Sequence, residues 1–138
     1  METNTVLEWF YLADADLDSA IILNDAHRKH NAIICFHCQQ AVEKYLKAFI
    51  CYNEVVPPKI HVLETLCAQC SEINSSFNDI AKECAYLSPF AVQARYPIEI
   101  EITNANTVKA LEIAQRIKDF SPLAELKAKL IIEADNIK

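Results

Sequence analysis

Not one of the 138 residues is glycine, and that absence removes more folds than any motif in the chain adds. Glycine reaches positive φ without a steric penalty, and its average usage is roughly 7%. Phosphate-cradling loops, nucleophile elbows and tight primed hairpin turns all lean on it. Walker, Rossmann and α/β-hydrolase arrangements are therefore excluded, and a β-sandwich with many tight turns is disfavoured. Helices joined by Pro, Asn and Ser turns tolerate such a composition, so the expected class is all-α. With 52% hydrophobic residues, a chain of this length buries a continuous core as one domain, residues 1–138.

Apolar spacing supports that class. Leu7, Phe10, Leu17 and Ile21, joined by Trp9, Ala13 and Ala20, recur at helical intervals and predict a first helix over about 5–26. Its Asp14, Asp16 and Asp18 read as a solvated face. Ile34, Cys38, Ala41, Tyr45 and Phe49 step along one side of a second helix from about Asn31 to Asn53, with Glu43 four residues before Lys47. Pro57-Pro58 stops it, and His61 to Cys70 make a shorter helix. Ser76 or Asn78 caps a further helix to about Leu87, limited by Pro89. Between Val92 and Thr103 the alternation of Ile98, Ile100 and Ile102 with Glu99 and Glu101 reads as a structured, extended loop. Helical spacing returns from Asn104, and Ser121-Pro122 reads as an N-cap with proline at the first helical position, opening a terminal helix to about Ala134.

No window approaches the roughly 18 apolar residues of a membrane span, and the start METNTVLEWF lacks the basic-then-apolar pattern of a secretory signal. The expectation is a soluble cytoplasmic protein with no membrane association, in which the six cysteines remain free thiols. Net charge is −6, yet residues 27–61 hold five basic side chains against Glu43 and Glu54, a surplus of three, together with all four histidines; the remainder carries −9. A local basic face on an acidic body suits RNA, nucleotide phosphates or an acidic partner, and ordinary charge scatter produces the same figure.

Two C-x-x-C pairs, Cys35/Cys38 and Cys67/Cys70, invite a zinc reading. The 28 intervening residues exceed the usual ribbon spacing of about 15 to 20, and both pairs sit in helical patterns where cysteine acts as a small hydrophobe. Neither a metal nor any other cofactor is expected. His27 and His30 flank Arg28-Lys29 at an interhelical turn, as a phosphate-contacting cluster or a solvated loop. His61 opens a helix as a titrating group or a capping side chain. Gln39 and Gln40 hydrogen-bond within the chain or across an interface. Arg95 offers a bidentate contact to phosphate or carboxylate, or ties its loop to a helix. H-E-x-x-H is absent, and no serine or cysteine has a neighbouring histidine that specifies a triad.

Taken in order, Phe36 with Gln39-Gln40-Ala41-Val42-Glu43-Lys44 and Leu46-Lys47-Ala48, then His61-x-Leu63, then Ala94-Arg95-Tyr96-Pro97 resemble a HEPN domain, the helical module named for nucleotide binding in higher eukaryotes and prokaryotes. The resemblance covers most of the chain. It implies an up-and-down bundle of about five to six helices that forms a homodimer, with a positively lined cleft for RNA or nucleotides. It also implies a minimal nucleotidyltransferase as protein partner, in a toxin-antitoxin or defence-type module.

Many such domains resemble metal-independent ribonucleases with an Arg followed four to six residues later by His. Here no histidine follows Arg95, while His30 and His37 stand too close to and too far from Arg28, so no catalytic residues are carried over. The resemblance leaves Arg95, His61 and Lys59 as candidate ligand contacts on a non-catalytic binder. Two alternatives stand beside it: a ribonuclease that uses Arg95 with His61 or His37, and a purely structural partner subunit.

Overall fold

The computed structural model describes residues 2–93, 95–96 and 101–137, and among these the chain is helical with no strand. Its helices are α1 (Thr3–Asn24), α2 (Asn31–Tyr52), α3 (Leu63–Ile73), α4 (Ala81–Leu87), the single turn α5 (Phe90–Gln93), α6 (Asn104–Lys118) and α7 (Ser121–Ile137). A 3-10 segment, Ser75–Ile80, joins α3 to α4. Six helices of seven residues or more and one helical turn make up the expected HEPN-like bundle.

The core is organised around α2. Helix α1 buries one stripe, Val6, Phe10, Ala13, Leu17 and Ala20, at steps of three and four residues. Helix α2 is buried nearly all round from Ile34 to Cys51, because α1, α3, α5 and α6 all pack against it. Helices α6 and α7 close the bundle with Ala110, Ala114 and Ile117 and with Leu123, Leu126 and Leu130. Phe77 of the 3-10 segment stacks between Phe49 and Phe120, ring centroids 4.5 and 5.2 Å away, and so links α2 to the entry of α7.

The end of α2 shows how a chain without glycine makes a helix stop. Val55 N–H bonds Ile50 O at 3.4 Å and Glu54 N–H bonds Cys51 O at 3.1 Å. This is the paired closure of a Schellman motif, in which the residue at the position of Glu54 takes left-handed backbone and is usually glycine. Glu54 adopts φ 63°, a conformation that costs a side-chain-bearing residue roughly 1–2 kcal/mol. Asn53 Nδ2 adds a bond to Phe49 O at 2.8 Å. Helix α6 opens on a reciprocal cap: Thr103 Oγ1 accepts from Asn106 N–H at 3.2 Å while Asn106 Oδ1 accepts from Thr103 N–H at 2.9 Å.

Several sequence expectations change. Asn74, rather than Ser76 or Asn78, caps the segment before α4 by accepting from Ser76 N–H at 3.0 Å. Val92 and Gln93 belong to α5 instead of the extended loop; Ile98, Glu99 and Ile100 lie outside the described residues. Ile102 is buried, and its carbonyl accepts from Asn31 Nδ2 at 3.3 Å. Of the α1 aspartates only Asp18 is exposed as expected: Asp14 accepts from Tyr45 Oη and Lys127 Nζ, both at 2.5 Å, and Asp16 pairs with Lys44 and with His37 at 3.0 Å. Periodicity predicts which side of a helix is polar, whereas the cations that meet these carboxylates come from α2 and α7.

Candidate functional site

Phe36, Gln40, Glu43 and Lys47 follow one another at four-, three- and four-residue steps, so they form one ridge along α2. In the middle of that ridge the protein buries charge. Glu43 is 3% exposed, Lys47 6% and Gln39 is fully covered. Burial of unpaired ions is costly, and these are fully paired. Glu43 Oε2 accepts from Lys47 Nζ at 3.2 Å, and Glu43 Oε1 accepts from His61 Nδ1 at 2.8 Å. Lys47 also stands 5.8 Å from the centre of the Trp9 ring on α1, a cation–π distance.

His61 does not open α3, which begins at Leu63 with Val62 in the capping position. It lies in the connection before that helix and is fixed from three directions. Gln39 Nε2 donates to His61 O at 2.9 Å, Leu63 N–H donates to Ser88 Oγ at 2.9 Å, and Glu43 holds the ring. Gln40 Nε2 in turn donates to Gln39 Oε1 at 2.7 Å, which orients the Gln39 amide. The His61 side chain nevertheless remains 52% exposed. A buried carboxylate thus positions an imidazole whose outer edge faces solvent.

Arg95 lies at the other end of the ridge. Its guanidinium carbon is 5.7 Å from the centre of the Phe36 ring, so the residue both ties its segment to α2 and stays at the surface, where its exposed neighbour Tyr96 also sits. His37 meets the edge of the same ring, centroids 5.9 Å apart, with its own Nδ1 engaged by Asp16. Lys59 is exposed two residues before His61 and has no ion pair or hydrogen bond among the described residues. His27, Arg28, Lys29 and His30 are exposed in the turn between α1 and α2. The structure therefore joins His61 to Glu43, Lys47 and Gln39, and places Arg95 with Phe36 about two helical turns away. Ala94 and Pro97 of the Arg95 motif lie outside the described residues.

The thiols belong to the core. Cys35, Cys38, Cys51, Cys67, Cys70 and Cys84 are buried and free. Burial, with Cys35 adjacent, pushes the Cys38 thiol up to about 12, and burial raises Cys70 as well. Protonated thiols of this kind are poor nucleophiles and poor metal ligands. Among the described residues, no group of three or more His, Cys, Asp or Glu side chains converges to hold an ion.

The HEPN domain family model matches residues 6–125, from the start of the α1 core stripe into the first turns of α7. This chain belongs to the HEPN domain family. No curated protein and no solved structure matches it. Membership supports a role connected with nucleotides or RNA, and the matched span contains the whole ridge from Phe36 to Lys47 together with His61 and Arg95. In this HEPN domain no helix of the described residues is long and apolar enough to cross a membrane.

Sequence reasoning selected His61 and Arg95 as ligand contacts, and read Glu43 and Lys47 as a helix pair and as part of the family motif without assigning them a place in the site. A signal was present: both charges stand among Ala41, Val42, Tyr45, Leu46, Ala48, Phe49 and Ile50, apolar on every side of the helix, where an ordinary surface pair is out of place.

Proposed function

We propose that this HEPN protein binds the phosphate groups of a nucleotide or RNA on the surface that lies over the Phe36–Lys47 ridge of α2, through Arg95, Lys59 and His61, without cleaving it. The observation that carries this reading is the His61 ring, held at 2.8 Å by the buried Glu43 carboxylate yet half open to solvent. A side chain so fixed has lost its rotamer freedom before a ligand arrives, which lowers the entropic cost of a contact. Arg95 and the exposed Lys59, two residues before His61, supply positive charge. Neither has a carboxylate partner among the described residues, so both keep their charge available to phosphate.

The same geometry argues against a hydrolytic centre made by Arg95 with His61. Phe36, which carries Arg95, and Glu43, which carries His61, are seven positions apart on α2, a rise of about 10 Å. Acid-base cleavage needs its groups within about 3 Å of the reacting atoms. Contacts carried about two helical turns apart on α2 suit separate phosphates along a strand. His37 shares the Phe36 ring with Arg95, but its side chain is only 27% exposed, about half the exposure of His61.

The wider setting follows the family resemblance: a homodimer whose cleft brings two such faces together, paired with a minimal nucleotidyltransferase in a toxin-antitoxin or defence-type module. The test is gel-shift binding to a short mixed RNA over a salt series, with a cleavage assay on the same samples and Arg95→Ala as control. Binding that weakens steeply with salt and is weaker in Arg95→Ala, with intact RNA recovered, supports the reading. Cleavage that is lost in Arg95→Ala and His61→Ala moves the protein to the ribonucleases. Absence of both directs the search to a protein partner.

A further inference from the structure

We infer that Glu43 is a positioning residue that makes phosphate binding at His61 proton-coupled: the site takes up one proton as it binds phosphate, and weakens as pH rises. The inference rests on the phosphate-binding reading above and adds the chemical state in which His61 acts.

The argument begins with the bond to Glu43. An ionised carboxylate only accepts hydrogen bonds, so His61 Nδ1, 2.8 Å from Glu43 Oε1, carries the hydrogen. In the neutral ring the outer nitrogen, Nε2, is then a bare acceptor. A phosphodiester also presents only acceptors to the protein, so neutral His61 has nothing to donate and opposes lone pair to lone pair. Protonation places a hydrogen on Nε2 and converts the same fixed edge into a charged donor. Without Glu43, a neutral ring is free to carry its hydrogen on Nε2 and to donate without gaining a proton.

The surroundings leave this charge uncancelled. From α2, Glu43 and Lys47 form a buried pair with no net charge at 3.2 Å, and Gln39 is neutral. From the connection before α3 comes Lys59, and from the first turn of α3 Glu64, exposed and three residues on. The contact from the end of α4 is the uncharged Ser88 hydroxyl. Helix α1 contributes the Trp9 ring against Lys47, with Glu8 beside it, and the segment after α5 contributes Arg95. Protonated His61 therefore turns a neutral buried cluster into one with a single positive charge at its solvent edge. The backbone bonds from Gln39 and to Ser88 keep that edge in place in either state.

The test measures the affinity of a tetramethylrhodamine-labelled single-stranded RNA with hydroxyl ends by anisotropy, from about pH 5.5 to 8.5, a range that spans the charge change of histidine side chains. Hydroxyl ends matter, because a terminal phosphate titrates near pH 6 by itself. The full chain is compared with His61→Gln and Arg95→Ala at constant ionic strength. The expected result is a Kd that rises up to about tenfold per pH unit on the alkaline side, the slope for one bound proton. That slope vanishes in His61→Gln and persists, at weaker affinity throughout, in Arg95→Ala. Nitrogen NMR of the free protein reports the tautomer independently, with hydrogen on Nδ1 and none on Nε2 at high pH. Binding that requires Arg95 but ignores pH, or a slope that survives His61→Gln, overturns the proton coupling and leaves the phosphate reading standing. A neutral ring with its hydrogen on Nε2 overturns the role of Glu43. Failure to bind RNA at every pH overturns both.

Discussion

His61 Nδ1 lies 2.8 Å from Glu43 Oε1, so an imidazole half in solvent is held by a carboxylate with only 4% of its side chain exposed. The two residues are eighteen positions apart and meet because the connection after α2 folds back over the middle of that helix. The consequences for stability and for binding separate cleanly. Glu43 also neutralises the buried Lys47 ammonium, whereas His61 answers mainly to what arrives from solvent.

Replacing Glu43 by alanine is therefore expected to cost far more stability than replacing His61. Glu43→Ala leaves Lys47 charged, 6% exposed and without its carboxylate, which typically costs about 3–5 kcal/mol. His61→Ala removes one bond from a half-exposed ring and should cost on the order of 1 kcal/mol. Urea unfolding of the two variants decides it, and comparable midpoints would contradict the burial argument.

Arg95 should govern affinity through charge and through its place over Phe36. Arg95→Ala is expected to weaken RNA binding at all sequences and to reduce the slope of log K against log salt by about one. Arg95→Lys should restore the slope but not the full affinity, because an ammonium does not reproduce the flat guanidinium stacked at 5.7 Å. Equal affinities for lysine and arginine would argue that Phe36 plays no part.

Stability should fall on the alkaline side. Burial raises Cys38 to about 12 and raises Cys70, while Cys84 is raised first by its hydrogen bond with Cys67 and then by burial. Burial and the Asp14 hydrogen bond likewise raise Tyr45. Each group ionises earlier in the unfolded chain than in the native one. Its contribution is complete below the unfolded pKa, about 8.5 for a thiol and 10 for a tyrosine, and is lost as pH climbs toward the folded value. Each such group steepens the decline by up to about 1.4 kcal/mol per pH unit. Urea midpoints collected from pH 7 to 10.5 should drop progressively above about 8.5, and a level profile would mean that the thiols open to water before global unfolding.

Glu54 offers a gain. Glu54→Gly relieves the left-handed conformation at φ 63° in a motif that favours glycine, and should raise stability by up to about 1 kcal/mol, less the greater freedom of the unfolded glycine and the loss of the interaction that the Glu54 side chain makes. Thermal unfolding would register this as a rise of a few degrees. A fall would show that the Glu54 side chain is worth more than the strain it carries.

The missing glycine and the three- and four-residue apolar steps suffice for the class, the helix order and most helix limits. They do so because backbone sterics and helical periodicity act over a few neighbouring residues. Predicted limits at 5–26 and 31–53 compare with Thr3–Asn24 and Asn31–Tyr52. Local reasoning fails where a partner comes from elsewhere: Asp14 and Asp16 read as solvated because Tyr45, Lys127, Lys44 and His37 all lie outside their own helix.

The same division runs through the candidate site. Residue types and order in α2, His61 and Arg95 are sufficient to mark the HEPN family, since a family signature is a linear pattern. That Glu43 and Lys47 are buried, that Glu43 reaches His61 instead of solvent, and that Arg95 stands over Phe36, about two helical turns along α2 from Glu43, are decided by tertiary packing. Desolvation and hydrogen-bond geometry depend on distances between elements, and one-dimensional spacing does not contain those distances.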